Sequence, residues 1–228
     1  MIDPLLFVRY GFLIQIISSL IITISCFLIY LKTRELYELT SYKGIKYFRN
    51  TFLFFGITQV IRFFLDLIRP LGFLFVFERP EWYFMFEVAL FISIYASSMA
   101  LIYLLLSIFW KKIKNKLSEN IYLLHVIALV IALISLVGET GRLLLIIFQI
   151  CLFFMLIVIS LIKYGETKHK DDLSSLYLLY LIIFALWIGA GILELLTYFS
   201  PLAGFLIYLL SLVIFLAVLF KVLKKLDK

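Results

Sequence analysis

The run Tyr83–Trp110, YFMFEVALFISIYASSMALIYLLLSIFW, carries a single charge, Glu87, and stops against four lysines, Lys111, Lys112, Lys114 and Lys116. As an α-helix at 1.5 Å per residue it is about 42 Å long, more than the ~30 Å hydrocarbon core of a bilayer. Six further apolar runs lie around it, giving expected spans at about 5–31, 48–69, 83–110, 119–137, 141–163, 173–199 and 202–221. The fourth and fifth are separated at Gly138-Glu139-Thr140-Gly141, because one helix across both would be far longer than a bilayer needs. Ser200-Pro201 separates the last two in the same way. The expected fold is an all-α membrane protein, one seven-transmembrane-helix bundle filling residues 1–228. Little chain is left for an appended catalytic domain.

Composition agrees. Hydrophobic residues make up 65% of the 228, charged residues 15%, and the mean hydropathy is +1.15. Soluble domains average about 45–50% apolar and about 25% charged residues, and no soluble fold of this length hides so much apolar surface. The chain is therefore expected in the cell membrane as a multi-pass protein. Its formal charge of +7 does not point to nucleic acid, since the basic residues are sorted by side. Lys32, Arg34, Lys43, Lys46 and Arg49 follow span one, and the four lysines of 111–116 follow span three. Lys163, Lys168 and Lys170 follow span five, and Lys221, Lys224, Lys225 and Lys228 follow span seven. Only Arg9, Arg62, Arg69, Arg79 and Arg142 lie elsewhere. Basic loops stay in the cytoplasm, so the N-terminus is outside and the C-terminus cytoplasmic. The start of the chain has no basic stretch before its apolar run and no small-residue cleavage site, so span one reads as retained.

Prolines fall only at Pro4, Pro70, Pro80 and Pro201, at or outside span ends, so the helices are expected to run without proline kinks. The outer connector from Pro70 to Trp82, aromatic from Gly72 on, suits a short hairpin or an interfacial re-entrant piece. Cys26 and Cys151 sit in apolar runs at different depths, too few for a metal site and poorly placed for a disulfide.

Ionisable groups inside spans are costly and mark candidate function. Gln59, Arg62, Asp66 and Arg69 recur at spacings of three, four and three, one helical face. Arg62 lies about 18 Å from the cytoplasmic end, just past the middle. Trp187, Gly191, Glu194 and Tyr198 share a face of span six. Glu87 opens span three, with Phe91, Ile94 and Ser98 behind it, and Arg142 opens span five with Gln149 on its face. These charges all fall in the outer half. The inner half is nearly all Leu, Ile, Phe and Val, His125 being the main exception, which reads as an apolar plug. His125 itself suits a hydrogen-bonded packing residue better than a ligand.

Three readings of the outer charges stand side by side. They line a ligand pocket, or they pair with one another (Arg62 with Asp66, Glu87 or Glu194 with Arg69 or Arg142) and lock the bundle, or they sit at wet, exposed helix ends. On the first, Arg62 and Arg142 meet an anionic group of a small polar or zwitterionic ligand. Asp66, Glu87 and Glu194 meet a cationic group, and Trp187 and Tyr198 line the wall. The basic stretch 32–49 would touch a cytoplasmic partner or anionic lipid headgroups.

Seven spans with an external N-terminus and a connector of this kind after span two are similar to the layout of microbial rhodopsins. The retinal Schiff-base lysine that family requires in mid-span seven has no counterpart between Gly204 and Phe220. Zinc hydrolases of the adiponectin-receptor and ceramidase type use three histidines, whereas this chain has two, His125 and His169. The stretch Lys32–Arg49, KTRELYELTSYKGIKYFR, followed by Arg62-Phe63, resembles uncharacterised archaeal seven-span proteins and the membrane sensor regions joined to some histidine kinases. That resemblance covers the first third and implies a receptor-like or sensory module, without enzymatic activity or cofactor. The alternatives are a small-solute or ion transporter and a structural or accessory subunit. Unbroken helices and few polar groups in the inner half weigh against the transporter.

Overall fold

A computed structural model describes residues 4–74, 80–109 and 121–136, together with single positions at 151, 154, 158 and within 209–220. Four helices order these residues: α1 (Pro4–Thr40), α2 (Lys43–Leu74), α3 (Pro80–Phe109) and α4 (Ile121–Ser135). The isolated positions are helical too, and no strand occurs among the described residues. Each helix packs against the next in the chain, α1 on α2, α2 on α3, α3 on α4. Two segments, Ile16–Thr40 and Phe84–Ser107, are long and apolar enough to cross a bilayer, and Ile121–Ile134 is a shorter apolar helix.

The first two helices outrun the apolar runs that announced them. Most of the basic stretch 32–49 is helix, and the connector is only Ser41-Tyr42. Lys32 pairs with Glu35 (3.3 Å) and Arg34 with Glu38 (2.8 Å), at i,i+3 and i,i+4 spacing, which supports the exposed end of α1. The turn then forms at Ser41, whose φ of 52° is left-handed, while its N–H donates to Tyr37 O at 2.8 Å. The Thr40 hydroxyl donates to Leu36 O at 2.8 Å, closing another terminal carbonyl.

The expected hairpin from Gly72 to Trp82 is corrected at both ends. Gly72 to Leu74 continue α2, and Pro80 to Trp82 open α3 with proline at the favoured first helical position. Residues 75–79 lie outside the described set. Pro70, expected at a helix end, is inside α2. It cannot donate to the carbonyl of Asp66, yet α2 runs on for four residues beyond it.

Packing is inverted relative to a water-soluble bundle. On α1 the buried face is Ser18, Ile22, Ser25, Cys26, Ile29 and Thr33, and the opposite face, Ile17, Leu20, Ile24, Leu28 and Leu31, is exposed. On α4 the buried face is Leu124, Ala128 and Ala132, while Val126, Ile127, Leu129, Val130, Leu133 and Ile134 face outward. Small and hydroxylated residues between helices, with large aliphatic ones outside, suit a lipid solvent, where close backbone approach drives association. The buried hydroxyls are mostly satisfied within their own helix. Ser25 donates to Ile21 O (2.8 Å), Thr33 to Ile29 O (2.6 Å) and Thr58 to Phe54 O (3.1 Å). Two more reach across seams: Ser19 to Gln59 O at 3.4 Å, and Thr58 to Ser93 O at 3.5 Å. Cys26 and Cys151 are free thiols, the first buried and the second exposed.

Candidate functional site

Of the seven residues expected to line an outer pocket, Arg62 and Glu87 have described side chains. Arg62 is half-buried on α2 and engaged in an interaction of its own, one turn beyond the buried Gln59. Asp66 occupies the next turn of α2, its side chain outside the described set. Glu87 is exposed near the start of α3, whereas Ser98, expected on its face, is buried. Arg142, Trp187, Glu194 and Tyr198 lie outside the described residues. No group of three or more His, Cys, Asp or Glu suited to a metal occurs among the described residues.

What the structure assembles instead is a polar aromatic cluster where α2, α3 and α4 meet, toward the Lys43 end of α2. The helix spacings build it. Tyr47, Asn50 and Phe54 are three and four apart on α2, and Tyr95, Met99 and Tyr103 four apart on α3. His125 follows the buried Leu124 on α4. Phe54 is the hub: it stacks on Tyr103 at 5.5 Å, meets Tyr95 edge-on at 6.4 Å and lies 6.2 Å from the His125 ring. Tyr47 stacks on the far side of the group, 6.3 Å from Tyr103, and Asn50 hydrogen-bonds the Tyr103 side chain. The Tyr95 hydroxyl and His125 Nδ1 are 2.5 Å apart, with the two rings stacked at 6.2 Å.

His125 is thus a hydrogen-bonded packing residue, as its sequence context suggested. The apolar plug is a correction. Tyrosine hydroxyls, an amide and an imidazole gather in the half of these helices that the residue tally made aliphatic. The tyrosines are easily read as lipid-facing filler, and only the helix pairing shows that Tyr47, Phe54, Tyr95 and Tyr103 of α2 and α3 join His125 of α4 in one cluster.

A second site lies at the same end. Arg49, counted as a loop cation, is on α2, with its guanidinium over the Tyr30 ring at 5.3 Å and the Tyr37 ring at 5.6 Å. Tyr30 and Tyr37 are seven apart on α1, so both present to one facing residue. Arg49 Nε is buried and has no hydrogen-bond partner, and the two tyrosine faces offer the guanidinium cation–π contacts there.

No family profile matches the chain, and no solved structure matches it. An uncharacterized protein of Archaeoglobus fulgidus is 33% identical over 216 residues, covering 93% of this chain and 92% of that one. A match of that extent leaves no large segment of either chain unpaired. The chain belongs to the same family as this uncharacterized archaeal protein.

Proposed function

We propose that the chain is a seven-helix, multi-pass module of the cell membrane, N-terminus outside and C-terminus cytoplasmic, that acts as a receptor-like sensor of a small polar or zwitterionic ligand. The ligand enters from outside and is held by Arg62, Asp66, Glu87, Arg142, Trp187, Glu194 and Tyr198. The observation that supports it best is on α2, where Gln59 is only 6% exposed and Arg62 half-buried while Phe64 is 56% exposed. A polar side turned into the bundle is what an internal site requires.

A second reading, a small-solute or ion transporter, draws support from the aromatic cluster. Polar groups gather at Tyr95, His125, Tyr103, Asn50 and Tyr47, toward the basic end. One experiment separates the two. The full chain in lipid nanodiscs is heated with each proteinogenic amino acid or glycine betaine, alongside Glu194→Gln and Trp187→Phe. A ligand at one hundred times its dissociation constant adds about 2.7 kcal/mol, a rise in Tm of roughly 5 °C or more at this chain length. That rise is expected for the native chain and is absent in Glu194→Gln. If no zwitterion raises Tm and both variants only lower stability, the charges serve packing and the pocket is wrong. Movement of the stabilising compound across proteoliposomes establishes the transporter instead.

A further inference from the structure

The cations around the α1–α2 turn are not balanced alike. On α1, Lys32 is paired with Glu35 and Arg34 with Glu38, and residues 32–49 contain no other carboxylate. Lys43, Lys46 and Arg49 on α2 form no ion pair among the described residues, and the first turn of α2 has no acidic residue. We propose that these three cations bind the phosphate of an anionic phospholipid, with Arg49 as the fixed contact and Lys46 and Lys43 leading outward from it. This site shares no residue with the outer pocket and needs only that the chain be embedded in lipid.

Spacings of three place Lys43, Lys46 and Arg49 about one turn apart along α2, so like charges are neighbours. They stand at the N-terminal end of that helix, where the backbone dipole disfavours cations and favours an anion. A bound phosphate would offset both costs. Arg49 is also seated in a way that a plain loop cation is not. Its guanidinium lies over the Tyr30 and Tyr37 rings, 5.3 and 5.6 Å from their centroids. These contacts hold the group without using any of its N–H donors. Nε is buried and has no hydrogen-bond partner, while the residue as a whole is half-buried. The Nε edge thus faces protein, and the outer edge, with one N–H from each Nη, is the one that meets two phosphate oxygens. A cation that only keeps its loop in the cytoplasm needs no such seat.

The depth fits a lipid headgroup. Tyr30 and Tyr37 bracket the point where the first apolar run gives way to Lys32, and Arg49 stands where the second run begins. The guanidinium is therefore at the edge of the hydrocarbon. Lys46 and Lys43 follow about 4.5 and 9 Å further along the helix axis, at 1.5 Å per residue. A headgroup layer is roughly 5–7 Å thick on each side of the bilayer, so the three cations cross it. Leu28 and Leu31, exposed on α1 within a turn of Tyr30, supply apolar surface for the acyl chains.

The full chain in dodecyl maltoside is titrated with phosphatidylglycerol or phosphatidylcholine, and bound lipid is counted by native mass spectrometry. Phosphatidylglycerol should bind with a dissociation constant about tenfold or more below that of the zwitterionic lipid. Arg49→Gln should raise that constant about tenfold, for a lost hydrogen bond to a charged group. Lys46→Gln should raise it about fivefold, for one cation near a membrane surface. Lys32→Gln removes the same charge from a residue already paired with Glu35 and should leave it within about twofold. Should Arg49→Gln fail to fold, Lys46→Gln against Lys32→Gln still decides the matter. Equal binding of the two lipids, or equal losses in Lys32→Gln and Lys46→Gln, overturns the site. Displacement of phosphatidylglycerol by excess inorganic phosphate at fixed ionic strength overturns the lipid as its occupant.

Discussion

Gly56→Leu should drive α1 off α2 and give the largest loss of stability of any single change in the first hairpin. A Cβ at Gly56 would lie 3.3 Å from the Cys26 Cβ and 3.6 Å from the Phe27 ring. Cys26 is fully buried, and its Cβ moves only with its helix. Alanine therefore meets a rigid neighbour at slightly too close a distance, partly offset by its better helix propensity, worth about 1 kcal/mol. Leucine adds three more carbons to a seam without space for them. Overpacking of this kind costs about 1–3 kcal/mol, and the expected value is at the top of that range because two helix backbones must part. Thermal unfolding in nanodiscs checks it. Gly56→Ala should change little and Gly56→Leu should lower Tm by roughly 5–10 °C. Cys26→Gly should recover part of the Leu deficit, by removing the atom it strikes. An unchanged Tm for Gly56→Leu would mean that the two helices are not packed through this glycine.

Phe55→Ala should be the next most damaging. Phe55 is 2% exposed and stacks on Phe215 at 5.5 Å with the rings 11° from parallel; Phe215 is equally buried. This contact ties the last apolar run of the chain to the second, so it bears on how the bundle closes. Truncating a buried Phe costs about 3–5 kcal/mol in water-soluble proteins. In lipid the transfer part of that cost shrinks while the lost packing remains, so about 3 kcal/mol is expected. A double-mutant cycle with Phe215→Ala should show a coupling of about 0.5–1.5 kcal/mol, the usual value for an aromatic pair. Additive effects would mean that the rings do not meet.

How much of this was legible in the sequence depends on which physics wrote it. Apolar runs located α1 to α4 because a span of lipid-facing residues has a length that the bilayer sets. They missed the extension of α1 to Thr40, since Lys32 to Thr40 is held helical outside any apolar run by its own i,i+3 and i,i+4 ion pairs. They also stopped α2 short. Phe73 and Leu74 suit a strand by composition, but adding a turn to an existing helix satisfies more backbone groups than starting an isolated hairpin at a membrane surface. Reading Pro70 as a helix end failed for a related reason: proline deletes one bond near a terminus and costs least there. Of the α2 face read from the spacing of Gln59, Arg62, Asp66 and Arg69, Gln59 is buried and Arg62 half-buried. The aromatic cluster was not readable. Tyr47, Phe54, Tyr95, Tyr103 and His125 come from three helices, and periodicity gives each helix its faces without saying which face meets which.

That pairing also changes how the inner half should be regarded. A polar aromatic cluster and a stacked arginine occupy what had read as a plug, and both lie toward the end that carries the basic residues.

The proposed seven-span layout is tested most directly by the sidedness of its connectors. In a background with Cys26→Ala and Cys151→Ala, single cysteines replace Lys43, Glu81, Lys116, Glu139, Lys168, Ser200 or Lys224, and a membrane-impermeant maleimide is applied to intact cells and to inverted vesicles. Lys43→Cys, Lys116→Cys, Lys168→Cys and Lys224→Cys should label only in inverted vesicles, and Glu81→Cys, Glu139→Cys and Ser200→Cys only in intact cells. Labelling of any two consecutive positions from the same side would contradict the seven-span bundle.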